Sequence, residues 1–242
     1  MEQFGDGAQL SDQERLFLGL AEQLSRPFLQ VAQLAELAGG ATDQQTVAAH
    51  WQTVRAISES SLQLVESYAL SLRVNGKVTP LQLEPVTVSS LLYDTAHSLQ
   101  PLARQYAVEL QLEPGPRAQP IIADRSVLQA ALTSLGQVFV AAQAETEAPS
   151  LVRLSAHRSR HGIVAGLYSH APQLGADSLR RAQALHGRAR QPLQRLVSGP
   201  AAGVFVADAL LRTLAARLHV ARYRSLNGLA ATLQPSQQLQ LI

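Results

Sequence analysis

The sequence predicts an α+β protein, an antiparallel helical hairpin that dimerises into a four-helix bundle, followed by an α/β sandwich. Apolar residues recur in alternating steps of three and four between Leu16 and Leu37, at Leu20, Leu24, Phe28, Val31, Leu34 and Ala38. That spacing lays one apolar stripe along a helix. A second stripe follows a short turn, at Val47, Trp51, Val54, Ile57, Leu62, Val65, Tyr68 and Leu72. Beyond Asn75-Gly76 the pattern changes to short alternating runs interleaved with shorter helices, as expected of a sandwich. The division is expected at residues 1–77 and 78–242.

Ser11-Asp-Gln-Glu14 reads as a capping box that starts the first helix, which runs to about Ala38 with Pro27 inside it. Gly39-Gly40-Ala-Thr-Asp43 is the turn, and the second helix spans about Gln45–Leu72. Two long helices joined this closely lie antiparallel, and their stripes need a second copy to cover them. Next come a strand at Leu81–Pro85, a helix at Val88–Ala103 and strands at Val108–Leu112 and Pro120–Ala123. A helix at Arg125–Ala142 precedes a hairpin of Leu151–Ala156 and Ile163–Tyr168 around Arg160-His-Gly162. Residues 170–199 read as a long loop with some helix near Ser178–Leu185. A helix at Ala202–Arg217 leads to strands at His219–Arg224 and Leu229–Gln234, separated by Ser225-Leu-Asn-Gly228 with its Asn-Gly turn signal.

The chain has 242 residues, 46% of them apolar, enough for one large or two small cores. No run of about 18 apolar residues occurs. The start, Met1-Glu-Gln-Phe-Gly, lacks the basic and apolar regions of a signal peptide, so a cytoplasmic protein is expected. The absence of cysteine excludes disulfides and thiolate metal sites. Charge is uneven. Residues 1–124 carry seven Lys/Arg against fourteen Asp/Glu, whereas residues 125–242 carry thirteen Arg against four Asp/Glu. A basic half suits an acidic partner or anionic ligand as well as it suits plain solvated surface.

Glu22-Gln-Leu-Ser-Arg-Pro27-Phe resembles the H-box of sensor histidine kinases, H-E-L-R-T-P-L, with Leu24 and Pro27 matching. The resemblance extends over nearly the whole chain from Ser11. It implies a dimerisation and phosphotransfer hairpin followed by a Bergerat-type (GHKL) ATP-binding domain. Ile122-Ala-Asp124 resembles the G-D that opens the N-box helix, and Val86 to Leu112 resembles the domain's first helix and strand.

The family's chemical residues do not carry over. Glu22 stands where the phosphoacceptor histidine is expected. Ser134 and Val138 stand where N-box asparagines hold Mg²⁺, and valine offers a metal no oxygen. The stretch Tyr168-Ser-His-Ala-Pro-Gln-Leu-Gly175 has no aspartate to accept the adenine amino proton. Gly203 is the one glycine left of the second glycine box. No cofactor and no metal are therefore expected.

Histidines 50, 97, 157, 161, 170, 186 and 219 show no metal-ligand spacing. Arg180, Arg181, Arg188, Arg190 and Arg195 crowd the segment that would be the ATP lid, a possible anion site. Few aromatics accompany them, which weakens a nucleic-acid reading.

The resemblance implies a catalytically inactive, dimeric scaffold of two-component signalling with no membrane contact. Its partner would be a response-regulator receiver domain or an active histidine kinase, docking beside the H-box at Glu22, Ser25, Arg26, Pro27 and Gln30. Two rivals stay open: a divergent kinase or phosphotransferase using His50 or His97, and a polyanion-binding module using the arginine-rich half.

Overall fold

A computed structural model describes residues 12–115, 120–144, 150–170, 179–180 and 201–235, and their side chains except those of residues 12–20, 22, 23, 26, 144, 201 and 202. Two long helices open the chain, α1 (Asp12–Gly40) and α2 (Gln44–Asn75), and α1 continues through Pro27. The expected capping box at Ser11 lies outside the described residues. Asp43 caps α2: its carboxylate accepts from the Thr46 amide at 2.8 Å and the Thr46 hydroxyl at 2.7 Å. The Thr46 hydroxyl is the main reason that carboxyl is held below its ordinary pKa.

The α/β part comprises β1 (Glu84–Val86), α3 (Val88–Gln105), β2 (Glu109–Glu113), β3 (Ile121–Ala123), α4 (Arg125–Ala144), β4 (Leu151–Ser159), β5 (Gly162–Ser169), α5 (Ala201–Thr213), β6 (Leu218–Tyr223) and β7 (Leu226–Leu233). Strands β1 and β3 form a small antiparallel pair. The main sheet runs in the order β2-β4-β5-β7-β6, with β2–β4 parallel and the other pairs antiparallel. Its inner face presents Val152, Leu154, Leu167, Leu229 and Ala231 to one core shared with α3, α4 and α5. Alternation along each strand turns the other residues outwards.

Three expectations need correction. The predicted strand Leu81–Pro85 pairs only from Glu84, because the Gln82 amide is taken by the Asp124 carboxylate at 2.8 Å. The last helix stops at Thr213 rather than Arg217, with Ala215 in the left-handed region (φ 56°). The final hairpin turns at Arg224-Ser225, both at positive φ (45° and 67°), between the paired residues Tyr223 and Leu226. This is the geometry of a tight two-residue turn. Asn227 and Gly228, expected in the turn, are strand residues paired with Ser169 and Tyr168.

The stripe predicted for α2 also divides. Ile57 is buried, whereas Trp51, Leu62, Val65 and Leu72 are exposed, and the buried row is Ile57, Ser61, Leu64, Ser67, Ser71 and Val74. Helix α2 meets α1 and also α3, α4 and α5. Small serines suit such close helix packing, and the Ser61 hydroxyl satisfies itself on the Ile57 carbonyl at 2.8 Å.

Candidate functional site

The positions that the resemblance assigns to a nucleotide lie on α4, at the end of β5 and at the start of α5. Asp124 starts α4. Its Oδ1 accepts from the Val127 amide at 3.1 Å and the Ser126 hydroxyl at 2.7 Å, while Oδ2 accepts from the Gln82 amide. Burial pushes this carboxyl up, but hydrogen bonds from Ser126, Gln82 and Val127 together outweigh it and hold the pKa below its ordinary value. The aspartate that resembles a family motif thus works here as a helix cap and a clamp on the chain before β1.

Helix α4 is buried along nearly its whole length. Ser134 is 1% exposed and Val138 2%, and Val138 sits in the same continuous core as Val204, Phe205 and Leu210 of α5. Gly136 admits Leu99 of α3, whose Cδ1 would lie 2.2 Å from an added Cβ. Ser169, at the end of β5, is 0% exposed, and Gly203 is buried at the start of α5. Apolar and small side chains therefore occupy the positions from which the resemblance would draw metal and adenine ligands.

Two features escaped the sequence. Gln137 of α4 reaches α2, donating to the Ser60 carbonyl at 3.2 Å and to Gln63 Oε1 at 3.0 Å. Asp208, 1% exposed on α5, holds Arg212 at 2.7 Å; the i, i+4 spacing was its only signal. In the H-box stretch Ser25 is exposed and donates to the Ala21 carbonyl, Pro27 is half-buried, and Gln30 accepts from the Tyr106 hydroxyl at 3.2 Å. Gln30 is thus tied to the segment after α3. The side chains of Glu22 and Arg26 lie outside the described residues.

Of the lid arginines only Arg180 is described, and it is exposed; Arg181, Arg188, Arg190 and Arg195 lie outside the described residues. His50 is half-buried on α2 and His97 exposed on α3. Among the described residues no three His, Cys, Asp or Glu are grouped to hold a metal, and no helix is long and apolar enough to cross a membrane.

A helical hairpin joined to this sandwich defines the class: the fold is that of a histidine-kinase core with an ATP-binding-type α/β domain. Among solved structures, the histidine kinase AdeS of Acinetobacter baumannii is similar at a TM-score of 0.53 and 13% identity, covering 89% of this chain and 98% of its own. Full-length ShkA, solved in complex with AMPPNP, is similar at 0.52 and 16% identity, covering 94% of this chain and 47% of its own. The catalytic domain of ThkA is similar at 0.50 and 9% identity, covering 64% and 96%. No family model and no curated protein matches the sequence.

Proposed function

We propose that the chain is a catalytically inactive, histidine-kinase-like scaffold of two-component signalling, acting as a cytoplasmic homodimer that docks a receiver domain or an active kinase. In this reading residues 1–77 form the dimerising and docking hairpin and 78–242 a degenerate ATP-binding domain. The observation that carries it is the burial of Val138 in the core it shares with α5, together with that of Ser134 one turn earlier, at positions where the resemblance would have oxygen ligands face a nucleotide. ShkA was solved in complex with AMPPNP; here Val138 offers a metal no oxygen, which supports loss of that capacity in this chain. Glu22 in place of the phosphoacceptor supports loss of phosphotransfer as well.

Dimerisation draws support from the apolar residues that the hairpin leaves uncovered. Phe28 is 58% exposed and Trp51 52%, with Leu29, Leu37 and Leu62 also exposed. Light scattering at micromolar concentration should give twice the 26.0 kDa chain mass. Phe28→Asp should return it to one chain mass and shift the emission of Trp51, the only tryptophan, to longer wavelength. A monomeric wild type would rule out the four-helix bundle.

For docking, Arg26→Glu should weaken partner binding about tenfold and leave the dimer intact, read by calorimetry with the captured partner. Charge reversal at Arg188 and Arg190 should change little. The opposite outcome would transfer the function to the arginine-rich segment.

A further inference from the structure

Strand β6 forms one edge of the main sheet, paired with β7 on one side only. Its residues, Leu218 to Tyr223, keep an unbroken register without a bulge or a proline. That register decides which backbone groups are already used. Tyr223 and Leu226 flank the two-residue turn and so form a hydrogen-bonded pair, and alternation extends this to Ala221 and His219. The N–H and C=O groups of Leu218, Val220 and Arg222 therefore face away from β7, and among the described residues no other backbone group bonds them. The side chains point the same way. A row of apolar residues crosses the inner face through Leu112, Leu154, Leu167 and Leu229, the last three fully buried. It ends on Val220, opposite Leu229, and Val220 is 44% exposed.

Arg217 and Arg222 stand exposed near the two ends of β6. Between Ala201 and Leu233 the only acidic residue is Asp208, and it holds Arg212. Glu113 reaches the turn from β2, accepting from the Tyr223 hydroxyl at 2.8 Å and pairing with Arg224 at 3.0 Å. These contacts pin the turn end of the strand. Among the described residues no carboxylate is paired with Arg217 or Arg222, and Arg222 donates to the Asn227 amide oxygen at 2.9 Å. Two copies of β6 set edge to edge would crowd four arginines along one seam, which opposes self-pairing. The opposite edge, β2, carries Glu109 and Glu113 and would repel what β6 attracts.

We propose that β6 is a docking edge for an extended acidic segment of a partner protein, which adds to the five-stranded main sheet as a further strand. Laid antiparallel, the segment exchanges main-chain hydrogen bonds with Leu218, Val220 and Arg222. An apolar side chain covers Val220. Acidic side chains two residues before it and three after it lie opposite Arg222 and Arg217. The strand is already formed and pinned at its turn, so docking requires little ordering of it. This edge lies outside the positions considered for a nucleotide and does not depend on the signalling role proposed above.

The probe is the end-blocked peptide Thr-Glu-Thr-Ile-Thr-Val-Glu, titrated into the full-length protein and followed by NMR with backbone hydrogen exchange. Saturable binding at about 0.1 mM is expected for a single added strand. At saturation the Leu218, Val220 and Arg222 amides should exchange about tenfold more slowly or better, while His219, Ala221 and Tyr223 change little. A peptide with lysine for both glutamates, and one with proline for isoleucine, should not bind. Val220→Pro removes an outward N–H that β7 does not use, so the fold should persist and the binding vanish. Arg222→Glu, an exposed change, should weaken binding about tenfold whatever becomes of the proline variant. Absence of saturable binding would overturn the proposal. Binding without protection of the three alternate amides would overturn it too, leaving only attraction of a polyanion to the basic half. Equal affinity for the lysine peptide would have the same force. A fall in light-scattering mass on Val220→Pro would give the edge to a second copy of the chain and so overturn the acidic partner.

Discussion

Replacing Gly228 by alanine should cost about 3 kcal/mol of stability, the upper part of the range for forcing atoms into a packed interior. A Cβ at this position would stand 2.0 Å from the Leu167 carbonyl oxygen and 2.7 Å from Tyr168 Cδ1. The carbonyl belongs to the paired strand and cannot swing away, so the β5–β7 ladder must part or the Tyr168 ring must leave. Urea unfolding followed by circular dichroism measures the loss. Ser225→Gly is the matching control: Ser225 occupies the turn at φ 67°, where glycine is unstrained, so that variant should be neutral or slightly more stable. If Gly228→Ala unfolds at the wild-type midpoint, the Tyr168 ring does not lie against that backbone.

Asp124→Ala is expected to cost roughly 2–4 kcal/mol, since it removes the cap of α4 and strands the Gln82 amide at the same time. The effect carries a pH signature. A carboxyl whose folded pKa is lowered contributes stability that is full above its unfolded value, near 3.9, and is lost as pH falls through the folded value. The gap between wild type and Asp124→Ala should therefore be constant from neutrality down to about pH 5 and shrink below about pH 4. A gap that persists unchanged in acid would mean that the ionised form makes no special contacts.

The hairpin and the order of strands and helices were legible because each rests on local periodicity. Asn227-Gly228 misled for a physical reason. Glycine serves both a turn and a close approach of backbone to a ring, and only the three-dimensional position of Tyr168 distinguishes them. Trp51, Leu62 and Ile57 share a repeat in sequence, yet α2 has neighbours on more than one side, and periodicity does not say which neighbour covers which residue. The positions Ser134, Val138 and Gly203 were singled out by resemblance alone, and their burial was foreseeable only to the extent that Val138 is apolar. The hold of Gln137 on α2, and the hydrogen bond from the Tyr223 hydroxyl to Glu113, depend on contacts between residues far apart in the chain, which leave no local pattern.

The proposed absence of a working nucleotide site beside α4 and α5 is tested most directly by the thermal unfolding midpoint with and without millimolar ATP and Mg²⁺, paired with calorimetric titration. A ligand at a hundred times its Kd stabilises a protein by about 2.7 kcal/mol, a rise of several degrees. No Mg²⁺-dependent shift and no binding heat are predicted. A saturable rise that requires both ATP and Mg²⁺ would contradict the claim and restore the chain to the nucleotide-binding kinases.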